Sequence, residues 1–165
     1  MEDLQRAVPA RGEFFATEFA DFRSADGLYR KFRVCVYGRS IVLRHMIVSD
    51  GWSVHGRERE GLMLQRADLR DEERRMLERP RHAFAASVLE TLRAARKRIP
   101  LDYFGIDFGI AADGAVVLFE ANATMNSFSP ITNPEYDYAR SPLTLMRRAL
   151  RAMIPEYVAT QTSVA

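Results

Sequence analysis

The chain is poor in several residue types, and each shortage excludes something. It has one cysteine, Cys35, in 165 residues, so no internal disulfide can form, and a chain this long buries an adequate core without one. Three histidines and one cysteine do not supply a zinc site. The longest stretch without a charge, 121–134, has 14 residues and is polar, well short of the roughly 20 apolar residues that cross a bilayer. Glu2, Asp3, Glu13 and Glu18 interrupt the first 20 residues, so no continuous apolar signal core is present. The expectation is a cytoplasmic protein with no membrane partner. Lysine is scarce too: 22 of the 24 basic residues are arginine, against 22 acidic residues. The basic residues between Arg57 and Arg98 alternate with acidic ones, which describes a solvated helix face and not a phosphate track. Nucleic acid is therefore not an expected partner.

What is present reads as one α+β domain with an antiparallel sheet. Phe14, Phe15 and Phe19 suggest a strand over 14–19. The β-branched segments 32–37 and 41–48, joined at Gly38-Arg39-Ser40, predict a hairpin. The charged stretch to Arg79 predicts a loop and a short exposed helix ending near Pro80. Phe84, Ala85, Val88, Leu89, Leu92, Ala95 and Ile99 fall at helical spacing within 82–99. A second hairpin spans 102–122 about Asp113-Gly114, and a helix over 142–154 opens at Pro142 and ends near Pro155.

The second hairpin carries the chemistry. A two-residue turn at Asp113-Gly114 sets Phe108 opposite Phe119 and Asp107 opposite Glu120, with Asn122 two residues further on the same face. Phe104, Ile106, Phe108, Ile110, Val117 and Phe119 then form an apolar face that a helix must cover. The other face carries Gly105 and Gly109, whose small size leaves room for a ligand. Opposed carboxylates repel unless a cation lies between them or one takes a proton. Two carboxylates and an amide oxygen are a hard-ligand set suited to Mg²⁺, and removal of one charge is expected to stabilise a metal-free chain. The alternative is a solvated pair satisfied by nearby arginines.

These residues resemble a known family. Gly105-Ile-Asp107-Phe-Gly, an Asp-Gly turn and Val117-Leu-Phe-Glu120-Ala-Asn122 look like the metal-binding end of the ATP-grasp superfamily, the carboxylate-amine ligases typified by glutathione synthetase. The resemblance implies that Asp107, Glu120 and Asn122 hold Mg²⁺, or Mn²⁺, on ATP phosphates. Upstream, 15–19 looks like the strand that binds adenine, with Glu18 and Phe19 at the nucleotide. Lys31 to Gly38 is similar to the strand that supplies a phosphate-binding arginine, here Arg33, and Arg44 is similar to a second arginine on the returning strand. A turn at Gly38-Arg39 sets Arg33 opposite Arg44, an arrangement that suits an anion.

The resemblance runs from about residue 14 to the final helix and lacks the first half of the grasp, with its phosphate-binding lysine and glycine-rich flap. It implies the C-terminal part of an ATP-grasp domain, an antiparallel sheet covered on one face by helices. In full context such a domain ligates a carboxylate to an amine through an acylphosphate. A missing N-terminal domain, a second subunit or a homo-oligomer is the expected complement, and a non-catalytic interaction module is the alternative. The acceptor is unidentified; Thr124, Asn126 and Ser127 are candidate substrate contacts, and Trp52 and His55 candidate nucleotide contacts.

Overall fold

A computed structural model describes residues 17–162, with side chains to residue 154. Four strands, β1 (Tyr29–Tyr37), β2 (Ser40–Ser49), β3 (Tyr103–Ile110) and β4 (Val116–Asn122), form one antiparallel sheet in the order β2-β1-β3-β4. Four α-helices lie among the described residues: α1 (Leu62–Gln65), α2 (Ala67–Glu78), α3 (Ala86–Arg98) and α4 (Ser141–Thr162). The α+β antiparallel class expected from the sequence is the one observed. Residues 14–16 of the expected first strand lie outside the described residues, and 17–20 carry no strand.

Gly38 adopts φ +54°, which the tight β1–β2 turn requires and glycine supplies without steric cost. The turn is held from outside by Gly38 N–H to the Asp102 carbonyl at 2.7 Å and by Arg96 Nε to the Gly38 carbonyl at 2.8 Å. Pairing starts as expected, Tyr37 with Ser40 and Val34 with Leu43, and then slips by one residue so that Arg33 meets His45. Arg44 is the extra residue of a bulge and does not oppose Arg33.

The second hairpin departs from its expected turn. Its loop is Ala111 to Ala115, closed by Ala111 N–H to the Ala115 carbonyl at 2.9 Å and by Gly114 N–H to the Ala111 carbonyl at 2.8 Å. Phe108 therefore pairs with Leu118, and not with Phe119. A second bulge at Phe119 shifts the register by one, which restores Asp107 opposite Glu120 and Gly105 opposite Asn122. The expected carboxylate pairing is present, although the turn from which it was derived is not.

Alternation separates the faces. Phe32, Val34 and Val36 pair with Phe108, Ile106 and Phe104, and this buried face joins Leu69 and Leu77 of α2 with Val88 and Leu92 of α3 in the main core. The helix over 67–78 is thus a packed amphipathic helix and not the short exposed one expected. The other face is also partly covered: Cys35 and Tyr37 pack with Met125 and with Leu143, Met146 and Ala149 of α4. Helices on one face only is accordingly corrected, and α4 continues through Pro155 to Thr162 instead of ending there. Cys35 is fully buried beside Met125, its thiol pKa raised by that burial.

Candidate functional site

Because β1 lies between β2 and β3, the two bulged hairpins share one cross-sheet row. His45, Arg33, Asp107 and Glu120 are consecutive partners across β2, β1, β3 and β4, and directly paired residues project to the same face. Asp107 is buried at 3% exposure. Arg33 grips it with two parallel bonds, Nε to Oδ1 at 2.5 Å and Nη2 to Oδ2 at 2.7 Å. The same Nη2 lies 3.7 Å from Glu120 Oε1, and Lys31 Nζ lies 3.6 Å from Asp107 Oδ2. The bidentate bond to Asp107 raises the guanidinium pKa of Arg33 against the opposing effect of its burial.

The repulsion expected between Asp107 and Glu120 is therefore already relieved by Arg33 inside the fold. Asp107 cannot be neutralised without stranding Arg33, so the expectation that Asp107→Asn stabilises the metal-free chain does not hold. Breaking a partly buried pair of this kind from one side costs about 3 kcal/mol.

A cleft of about 960 Å³ opens on this face. It is lined by Glu18 and Phe19, by Lys31 and Arg33, by Trp52 and His55, and by Asp107 and Val117 to Glu120. Seven of the residues singled out in the sequence, Glu18, Phe19, Arg33, Trp52, His55, Asp107 and Glu120, are thus brought together. Trp52 is 63% exposed and Phe19 55% exposed; their rings meet edge to face at the cleft, with centroids 5.9 Å apart. Neither is a packed core aromatic.

Two candidates lie elsewhere. Arg44 is buried, donates from Nε to the Ser127 carbonyl at 3.0 Å, and is not among the cleft residues; burial, then the nearby Arg59, lowers its pKa. It braces the loop after β4 and does not form the expected arginine pair. Asn122 closes the start of that loop, its Oδ1 accepting from Thr124 N–H at 2.8 Å and Thr124 Oγ1 at 2.9 Å. Of the candidate acceptor contacts, Ser127 is buried with its hydroxyl 3.1 Å from Tyr103 Oη, an internal role, and Thr124 is committed to Asn122.

The space expected over the two glycines is filled by the chain itself. A Cβ on Gly105 would lie 1.2 Å from Met125 Cε, and one on Gly109 would lie 2.6 Å from the Phe22 ring and 3.0 Å from Phe119 Cζ. Phe119, expected on the core face, packs on Phe22 at 4.7 Å between centroids, a result of the bulge. Lys31, which the sequence does not set in the context of a phosphate-binding lysine, also lines the cleft. The available signal was its position two residues from Arg33 on a strand, which puts both on one face.

As a cation site the donor set fits in part. Asp107 and Glu120 present opposed hard oxygens, and Glu120 is exposed toward the cleft; Arg33 occupies the Asp107 oxygens, and Asn122 has both lone pairs of Oδ1 in use. Among the described residues no group of three or more His, Cys, Asp or Glu side chains is placed to hold a metal, and no helix is long and apolar enough to cross a membrane. No protein-family model, curated protein or solved structure matches the chain.

Proposed function

We propose that the cleft binds ATP with Mg²⁺, and that the chain acts as the C-terminal part of an ATP-grasp ligase. The observation that supports this is the convergence of Glu18, Phe19, Arg33, Asp107 and Glu120 on one cleft with exposed aromatics at its mouth. The aromatic end suits a base, since stacking on an aromatic contributes about 1–3 kcal/mol. Lys31 and Arg33 suit phosphate oxygens, Arg33 bidentately. Asp107 and Glu120 would hold the magnesium ion, which when bound neutralises phosphate charge. For Arg33 to engage phosphate and Asp107 to engage a cation, their mutual pair must open. In the full ligase context, a carboxylate oxygen bonds to the γ-phosphorus as ADP leaves. An amine then bonds to the acyl carbon and phosphate departs.

The Arg33–Asp107 pair also favours a second reading, a non-catalytic module that keeps the fold, because it satisfies Asp107 without a metal. Thermal unfolding with ATP and Mg²⁺, against EDTA, separates a nucleotide-binding chain from a module that keeps the fold alone. Saturation at about 100 times Kd stabilises by about 2.7 kcal/mol, a shift of a few degrees for a domain of this size. A magnesium-dependent shift in wild type, absent in Glu120→Gln and in Asp107→Asn measured from its own lower baseline, supports the nucleotide site. No shift in wild type at millimolar Mg-ATP sinks it and leaves the non-catalytic module.

A further inference from the structure

A second groove, of about 920 Å³, runs between α3, α4 and the β1–β2 hairpin. Its floor is the outer side of the main core, where Val34, Leu43 and Leu92 are almost fully buried. Leu89 and Leu145 stand on its walls, Leu145 at 39% exposure. Arg39 of the β1–β2 turn, Arg81 after α2, Arg93 of α3 and Arg148 of α4 surround this apolar surface, and no carboxylate lines it. Some arginines elsewhere are neutralised locally, as Arg30 is by Glu72, Arg59 by Glu73 and Arg70 by Glu135. Among the described residues none of the four groove arginines lies in an ion pair.

We propose that this groove docks an acidic amphipathic helix of a partner protein, with leucine-like side chains on the apolar floor and carboxylates on the four arginines. The charge arrangement selects this occupant. Four exposed cations on four separate elements, none in an ion pair among the described residues, surround the apolar strip, and several anions spaced along it complement them. One carboxylate, as on a fatty acid, reaches one or two of them, whereas a helix with glutamates flanking an apolar stripe reaches all. Helix-in-groove docking of this type reads side chains at i, i+3, i+4 and i+7, and arginine is the basic side chain best suited to bidentate carboxylate capture.

The test is fluorescence anisotropy with a fluorescein-labelled 14-residue peptide of leucine at helical stripe positions and glutamate elsewhere. Partners are wild type, Arg93→Glu with Arg148→Glu, and Leu145→Asp, each checked for folding by thermal unfolding. The expected result is saturable binding to wild type that weakens with salt. Either variant should weaken it by about tenfold or more, and a peptide with lysine in place of glutamate should not bind. Absence of binding to wild type, equal affinity for the charge-reversed variant, or equal binding of the lysine peptide overturns the proposal. Dodecanoate that displaces the peptide and binds more tightly, with loss in the same variants, overturns it in favour of an acyl carboxylate.

Discussion

His45 sits at the end of the cross-sheet row, and its ring is held neutral. Its Nε2 is buried without a hydrogen-bond partner, and burial, then Arg59, Arg44, Arg33 and Lys31, drives its pKa well below 6.5. The unfolded chain takes up a proton near pH 6.5 that the folded ring resists, so stability is fully present above that pH and declines as pH falls below it. The slope approaches about 1.4 kcal/mol per pH unit. Urea unfolding between pH 5 and 8 should show this decline in wild type and lose it in His45→Gln; equal slopes would mean that the ring protonates freely in the fold. Gly105 offers a second residue-scale check. Alanine there must displace Met125 and crowd the Val34 carbonyl, which lies 3.2 Å from the added Cβ, at about 1–3 kcal/mol. In Met125→Ala the same substitution should cost less, so denaturation midpoints of the double-mutant cycle should reveal coupling. Additive costs would show that Met125 is not the obstacle.

At the scale of elements, the edge strand β2 is secured by a buried charge. Glu73 of α2 has no exposed surface and accepts from Met46 N–H at 3.1 Å, from Tyr138 Oη at 2.7 Å and from Arg59. One carboxylate thus joins the free side of β2 to α2 and to the segment before α4, filling one backbone donor, Met46 N–H, that an edge otherwise leaves open. Glu73→Gln should destabilise by about 3–5 kcal/mol, since it leaves Arg59 uncompensated; a cost below about 1 kcal/mol in urea unfolding would show that the network carries little. Periodicity could not single out Glu73, because it occurs within a run of alternating charges that reads as a solvated face. The same limit governed the hairpins. Both were legible from β-branched runs and Gly-containing turns; the Asp107–Glu120 pairing was expected from a two-residue turn that the chain does not form, and a bulge restores it. Neither bulge was legible, because a one-residue slip leaves no mark in composition. The pairing of Arg33 with Asp107 joins positions 74 residues apart, and no local pattern encodes a register between non-consecutive strands. The cleft was therefore readable as a set of residue types, while the internal clamp within it was not.

For the molecule as a whole, two concave surfaces with no lining residue in common differ in design. One is a cleft of mixed charge with aromatic rings at its mouth, and the other is an apolar groove with cations alone. Each can be observed without the other, because Trp52 is the chain's one tryptophan and lines the cleft but not the groove. Its 63% exposure gives a solvent-facing emission that a stacked base would quench or shift. Titration with ATP and Mg²⁺ should change Trp52 emission with the same Kd as the thermal shift, and EDTA should reverse the change. The leucine–glutamate peptide should bind with Trp52 emission unaltered. Trp52→Ala should weaken nucleotide binding by about 1–3 kcal/mol, about fivefold to 150-fold in Kd, while its peptide affinity stays at the wild-type value. If ATP raises the unfolding temperature with no change at Trp52, the nucleotide lies outside the cleft. If the peptide perturbs Trp52, the two surfaces are not independent, and the acidic segment has been drawn to Lys31 and Arg33 instead of to the groove.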